Sequence, residues 1–354
     1  MKILHLIDHL SPGGAQTVVK GIFDNNTKKW FLFSLRHKQQ EVKIEDKNVF
    51  ISTSSHKFSL RPFIEIKQVI EKEKIKVLHC HLIRAQITGW LIKKIWFPNI
   101  KLIFHEHGEI FTNHFLSFWL LKLAAKNVDG YIAVSRAAQT KLVKKIGINI
   151  KKIEIIPNFV DLSHLHISAD KNNRSTKKEI FTIGFAGRLS AVKGCDYLIK
   201  SLQFLKYPYK VLIAGEGLEK NNLISLTNQY NLQDKVIFLG YQQNMGIFYS
   251  SIDVLVVPSL HESFGISVIE AQAMKVPVIA SNVEALNELI TDGTNGLLFK
   301  EKNYQDLADK ITLLKQNPII AKRIIINAFS EVKKYSYNIF INKLNNFYEK
   351  FQQD

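Results

Sequence analysis

The chain has 354 residues, 46% of them hydrophobic, with 48 Lys and Arg against 31 Asp and Glu for a formal net charge of +17. That length and apolar content can bury a large core and allow two domains, which excludes a disordered or fibrous protein. No apolar run reaches the roughly 18 residues a bilayer-spanning helix needs, and two cysteines far apart in sequence, Cys80 and Cys195, exclude a disulfide scaffold and predict a soluble protein in a reducing compartment.

In chain order, short β-branched or aromatic runs alternate with longer segments of helical period, the signature of parallel sheets covered by helices. KILHLID is a strand; its apolar run stops at Asp8 and meets a glycine turn rather than a signal-peptide cleavage site. SPGGAQ is a turn and TVVKGIF opens a helix. WFLFSL, a helix over 60–73, KVLHC, a helix over 82–96, KLIF and an apolar helix near 115–126 follow. YIAV, a helix opened by Ser135, and IEIIP close this half, and the polar segment 161–178 reads as a linker. The rhythm restarts with IFTIGFAG, a helix over 195–205, KVLIAG, KVIFLG and VLVVP with helices between, then PVIA, GLLF and three helices, the last being YSYNIFINKLNNFYEKF. Two strand-helix series of similar size predict two Rossmann-like domains with a cleft between them, whose ligands sit at the carboxyl ends of the strands.

Charge is unevenly spread. Residues 1–170 hold 26 Lys and Arg against 14 Asp and Glu, a balance of +12, and eleven of the twelve histidines. Either the helices of this half are lysine-rich and simply solvated, or it attracts an anionic partner such as lipid head groups or phosphates. No aromatic-plus-basic RNA module or recognition helix is present, so nucleic acid is not expected.

Three stretches carry candidate chemistry. Ser11-Pro12-Gly13-Gly14-Ala15 follows the first strand and lets backbone approach a ligand at a helix amino terminus, which suits a phosphate and equally suits a plain tight turn. It lacks the third glycine of the dinucleotide fingerprint, and no acidic residue ends the second strand, which disfavours a nicotinamide enzyme. Arg188 and Lys193, five apart after IFTIGFAG, can clamp a diphosphate and neutralise a leaving phosphate, or be solvated cations. In HESFGISVIEAQA, residues 261–273, Glu262 falls in the loop before a helix starting near Ile266, and Glu270 about one turn inside it. A helix-cap role explains Glu262. Glu270, beside apolar neighbours, fits a carboxylate accepting hydrogen bonds from vicinal hydroxyls.

Together, Gly187-Arg188-Leu189 with Lys193-Gly194, Gly215-Glu216-Gly217, Pro258-Ser259, Glu262-Ser263-Phe264-Gly265 and Glu270-Ala271 resemble the retaining glycosyltransferases of family 4, which have the two-domain GT-B fold. Gly13-Gly14, His107-Gly108, Val134-Ser135 and Pro157-Asn158 resemble that family's amino-domain landmarks, so the likeness spans nearly the whole chain. The resemblance implies an acceptor-binding domain over 1–165, a nucleotide-sugar domain over 166–334 and a carboxyl-terminal helix over 335–354 packing back on the first domain. It implies that Arg188 and Lys193 bind the donor diphosphate, Glu270 the ribose and Glu262 the transferred sugar. Gly14, Phe264 and Gly265 complete the donor site, and His107 reaches toward the sugar. The catalytic set is thus His107, Arg188, Lys193 and Glu262.

No D-x-D motif occurs, so the aspartate cradle for a metal on a sugar nucleotide is absent and metal-independent transfer is expected. His79/His81 and His105/His107 invite a metal reading but lack the helical HExxH spacing and a matching cysteine, and no metal or other cofactor is expected. Lys275 stands where relatives often have glycine, and Val283-Glu284-Ala285 replaces a glycine-rich loop. A lysine in a left-handed cap costs roughly 1 kcal/mol, which predicts a different turn there. The acceptor expected from the family is a lipid-linked glycan or another cell-surface polysaccharide precursor. An anionic membrane partner is expected from Lys93-Lys94 beside Ile95-Trp96-Phe97 and from residues 115–121, placing the protein in the cytoplasm, peripheral to the inner face of the cell membrane. Rival readings are a sugar-nucleotide epimerase, a catalytically silent glycosyltransferase-like subunit, and a sugar-phosphate synthase or phosphorylase.

Overall fold

The structure is a computed structural model, and it describes residues 1–25, 30–38, 44, 46–56, 59–108, 115–160, 165 and 180–352. The segment 161–178, read as a linker, lies outside the described residues apart from Leu165. The chain divides into two compact units, Met1–Asn158 with Asn338–Asp354, and Phe159–Tyr337.

The first unit is built on seven parallel strands: β1 (Ile3–Ile7), β2 (Trp30–Ser34), β3 (Val49–Ile51), β4 (Val77–His81), β5 (Lys101–Glu106), β6 (Gly130–Ala133) and β7 (Ile153–Ile155), in the order β3-β2-β1-β4-β5-β6-β7. Strands buried on both faces need no alternation, and β1, β2 and β4 are buried throughout. Helices α1 (Gly14–Asp24), α2 (Arg61–Glu73), α3 (Leu82–Ile95), α4 (Phe115–Ala124) and α5 (Arg136–Lys141) connect them. Short β3, with no buried residue, went unread in the sequence.

The second unit holds β8 (Phe181–Ala186), β9 (Tyr209–Ala214), β10 (Val236–Gly240), β11 (Val254–Val257), β12 (Val278–Ser281) and β13 (Leu297–Phe299), all parallel in the order β10-β9-β8-β11-β12-β13. Its helices are α6 (Cys195–Ser201), α7 (Lys220–Gln229), α8 (Met245–Ser251), α9 (Ile266–Ala273), α10 (Glu284–Asn287), α11 (Tyr304–Gln316) and α12 (Pro318–Val332). Ile183, Leu198, Val211, Val254, Ile279 and Leu307 meet in its core. In both sheets the strand order reverses beside the first strand, between β1 and β4 and between β8 and β11, the crevice where such sheets bind ligands.

Helix α13 (Tyr337–Glu349) buries Phe340, Leu344, Phe347 and Tyr348, a stripe of helical period, against the first unit. A Cβ at Gly130 on β6 would collide with Phe347, so the bare backbone there admits the helix. Lys350 Nζ bonds Glu154 at 2.8 Å beside it.

The turn after α9 is not altered by its lysine. Lys275 itself takes the left-handed conformation (φ 56°), and its ammonium stands 4.9 Å from the Phe329 ring centroid of α12, a contact that offsets part of the backbone cost. Val283 precedes α10, whose Ala285 and Leu286 are buried, so this segment is a short helix rather than a loop.

Candidate active site

In the second unit, the ends of three strands are laced together by backbone. Gly187 N–H donates to the Ala214 carbonyl at 3.0 Å, Leu189 N–H to that of Glu216 at 2.9 Å, and Gly215 N–H to that of Gly240 at 2.8 Å. Gly215 has φ 143°, and a Cβ on it would run into the Gly187 carbonyl oxygen, so only glycine permits this approach. Gly194 has φ 63° and lies against the Pro258 carbonyl with no room for a Cβ, while Leu260 N–H donates to Val192 O at 2.8 Å. The loops after β8 and β11 are thus locked together at the crevice.

That lock brings two residues 69 apart in sequence into contact. Lys193 Nζ donates to Glu262 Oε2 at 2.6 Å, and Ser259 Oγ donates to the same oxygen at 3.1 Å. The pair is mostly withdrawn from solvent, with side-chain exposures of 28% and 13%. Arg188 is exposed at the end of β8 and has no ion pair among the described residues. Phe264 and Gly265 are buried immediately before α9. Neither backbone N–H has a hydrogen-bond acceptor among the described residues, and such amides at a helix amino terminus suit an anion.

Glu270, one turn into α9, accepts from Tyr249 Oη of α8 at 2.7 Å. Burial pushes its carboxyl pKa up to about 7, while the Tyr249 hydrogen bond pulls the other way. Burial, then the Glu270 carboxylate, raises the Tyr249 phenol well above its ordinary value. Of the residues that hold the two glutamates, Ser259 stood in the Pro258-Ser259 motif without an assigned role, and Tyr249 carried no sequence signal. A cavity of about 410 Å³ adjoins through Ser190 and Ala191 and extends toward Tyr197 and Asn222. Its walls include none of Arg188, Lys193, Glu262 and Glu270.

Gly14 and His107 belong to the first unit. Gly14 is exposed at the start of α1, whose first turn has no acidic residue to oppose an anion. The Asp8 carboxylate ending β1 is taken by Arg36 and by Arg84, the latter at 3.1 Å.

His107 is the outer member of a buried histidine cluster. Alternation along a strand puts His79 and His81 on one face of β4 and His105 and His107 on the same face at the end of β5; His5 of β1 pairs in register with His79. His5 Nδ1 lies 3.0 Å from His81 Nε2, and His81 Nδ1 lies 3.0 Å from His107 Nε2. Tyr348 Oη of α13 bonds His79 Nδ1 and reaches His5 Nε2 at 3.4 Å. Burial lowers every ring's pKa, His5 and His107 to about 3, so all five are neutral at physiological pH. His5 and Tyr348 were absent from the candidate residues.

The proposed membrane patch changes composition. Lys93 Nζ bonds Asp129 Oδ2 at 2.6 Å and is only 12% exposed, because Asp129 also caps the start of β5 through Leu102 N–H at 2.7 Å. Lys93 is therefore structural. Lys94, Ile95 and Trp96 are exposed, as are Trp119 and Leu123 one turn apart on α4. The side chains of Phe115 and Leu116 lie outside the described residues. No described helix is long and apolar enough to cross a membrane.

Two Rossmann-like units, each with its ligand loops at the strand carboxyl ends, are the architecture of the GT-B glycosyltransferases. The Anabaena protein HepE, solved in complex with UDP, superposes with a TM-score of 0.81 over 100% of both chains at 21% identity. Residues 31–164 match the family described as Glycosyltransferase Family 4, and residues 167–331 match Glycosyl transferases group 1. The chain belongs to glycosyltransferase family 4. A 41.2 kDa protein of the Klebsiella pneumoniae cps region is 28% identical over 90% of each chain. The Escherichia coli UDP-Gal:α-D-GlcNAc-diphosphoundecaprenol α-1,3-galactosyltransferase is 23% identical over 80% of each.

Proposed function

We propose that this glycosyltransferase moves a sugar, with retention of anomeric configuration and without a metal on the diphosphate, from a nucleoside-diphosphate sugar to a lipid-linked glycan precursor of a cell-surface polysaccharide. The observation that carries the reading is the Lys193–Glu262 pair held over the β8/β11 crevice, with Arg188 at its rim. Two cations and the free amides of Phe264 and Gly265 offer the diphosphate positive potential that a D-x-D site obtains from a metal. In the structure Glu262 neutralises Lys193. On donor binding, Lys193 turns its remaining N–H donors to phosphate, while Glu262, still anchored by Ser259, accepts from a sugar hydroxyl.

As the glycosidic bond to the diphosphate breaks, negative charge grows on the departing phosphate oxygen beside Arg188 and Lys193. The acceptor hydroxyl attacks from that same face and passes its proton to the departing phosphate oxygen, which gives retention. Neither glutamate is then the acid or nucleophile of a glycosidase. Glu270 holds the ribose hydroxyls as a carboxylate.

The acceptor assignment is supported by the diphosphoundecaprenol substrate in the name of the Escherichia coli relative. It is also supported by the +12 balance of residues 1–170, by exposed Trp96 two residues from exposed Lys94, and by exposed Trp119 and Leu123, with Lys122 Nζ 5.7 Å from the Trp119 ring centroid. Exposed aromatic side chains near cations suit shallow docking on an anionic leaflet, at the inner face of the cell membrane. The test is transfer from a panel of UDP-, GDP- and ADP-sugars to a polyprenyl-diphosphate-linked sugar, with the product anomer read by NMR. An inverted product, or donor turnover that ignores the acceptor, overturns the reading.

A further inference from the structure

The histidine cluster presents a cost that its hydrogen bonds do not cover. His79 Nε2, His107 Nδ1 and both nitrogens of His105 are buried with no partner. Each such group forfeits about 1–3 kcal/mol of solvation. His105 is fully buried and its imidazole makes no hydrogen bond. The five rings stack with centroids 4.1–5.3 Å apart between neighbours such as His105–His107, His79–His81 and His81–His107. One nitrogen from each of His81, His105 and His107 falls within 4.8 Å of the others.

We propose that His81, His105 and His107 bind one divalent late first-row metal ion, with zinc as the ion these three imidazoles hold. A neutral imidazole donates its lone pair to such metals, and burial keeps all three neutral. The 3.0 Å between His81 Nδ1 and His107 Nε2 is close to the edge, about 3.3 Å, spanned by two nitrogens on one tetrahedral zinc. The supporting layer is also present: His81 Nε2 lies 3.0 Å from His5 Nδ1, His5 Nε2 lies 3.4 Å from Tyr348 Oη, and Tyr348 Oη bonds His79 Nδ1. With the metal on Nδ1, His81 carries its proton on Nε2 and donates it to His5 Nδ1, the usual device for orienting a metal-bound histidine. The ion occupies His107 at Nε2, the nitrogen 3.0 Å from His81 Nδ1. It is separate from the diphosphate site, which is in the other unit. The HExxH spacing of helical zinc sites is absent because two H-x-H pairs on adjacent strands present their rings on one sheet face instead.

The test uses the full chain, stripped with chelator, dialysed, and reloaded with zinc or cobalt chloride. The expected result is one equivalent of zinc by elemental analysis and cobalt d–d absorption of a tetrahedral nitrogen site. Both fall to none in His105→Phe, which keeps ring volume, and in His107→Gln at the partly exposed edge, and persist in the exposed-histidine control His56→Ala. Circular dichroism confirms that each variant is folded. No uptake by folded native protein at micromolar metal, or uptake equal in native protein, His105→Phe and His107→Gln, overturns the proposal. Neither readout depends on sugar transfer, so a failed glycosyltransferase reading leaves the metal result standing and the reverse also holds.

Discussion

Replacing Glu270 by glutamine should stabilise the protein at alkaline pH while weakening donor binding. Burial raises the carboxyl from 4.5 to about 7 even though Tyr249 donates to it at 2.7 Å. The folded state therefore holds a proton that the unfolded chain has already released, and native stability is fully present below pH 4.5 and declines as pH rises through about 7. That gap corresponds to about 3 kcal/mol, reduced to about 2 because Glu270 keeps partial solvent access. Glutamine retains an oxygen for Tyr249 and carries no charge to desolvate. At pH 8 Glu270→Gln should be about 2 kcal/mol more stable than native protein, an approximately 30-fold smaller opening constant, and the two should converge near pH 4.5. All four tryptophans lie in the first unit, so their fluorescence is silent here; hydrogen exchange of peptides spanning α8 and α9 is the proper readout. The same variant should bind nucleoside diphosphate about tenfold more weakly at pH 8, since a charged acceptor of hydroxyl hydrogen bonds has become neutral. Native affinity should fall as pH drops below 7. Equal exchange in native and variant protein at pH 8, together with native affinity flat between pH 6 and 8, would refute the reasoning.

Lys193→Ala should weaken nucleoside-diphosphate binding and turnover together, whereas Glu262→Ala should spare binding of the bare nucleoside diphosphate and reduce turnover; isothermal titration beside initial rates separates them, and equal affinity losses would overturn the division of roles. Nucleoside-diphosphate affinity should be the same with excess EDTA, magnesium or manganese, because side chains and amides supply the positive charge; a tenfold gain on adding either metal would sink this. Co-sedimentation with anionic vesicles should fall with rising salt and shrink in a Lys94→Glu, Trp96→Ser, Trp119→Ser triple variant, each lost cation contact being worth about 1 kcal/mol; binding unchanged in that variant would locate the membrane contact elsewhere. Lys93→Ala, by contrast, should lower the melting temperature, since it strands Asp129 beside β5.

Local sequence determined the alternating strands and helices, because a strand buried on both faces must be a near-continuous apolar run and each crossover helix must show one apolar stripe. It also determined the loop chemistry: Gly187, Gly194 and Gly215 mark places where backbones meet, and Arg188, Lys193, Glu262 and Glu270 stand out as charges at strand and helix ends. Only tertiary structure decided how those charges are spent. Lys193 and Glu262 neutralise each other because Gly194 packs on Pro258, a contact with no local signature. Glu270 is perturbed by burial and hydrogen-bonded by Tyr249 from another helix, and Lys93 is withdrawn from the surface by Asp129, 36 residues away. The histidines show the division most plainly. H-x-H alternation places each pair on one face of its strand, but the register of β1, β4 and β5 and the arrival of Tyr348 from α13 assemble five rings into one cluster, since parallel pairing is set by the whole sheet rather than by any strand within it.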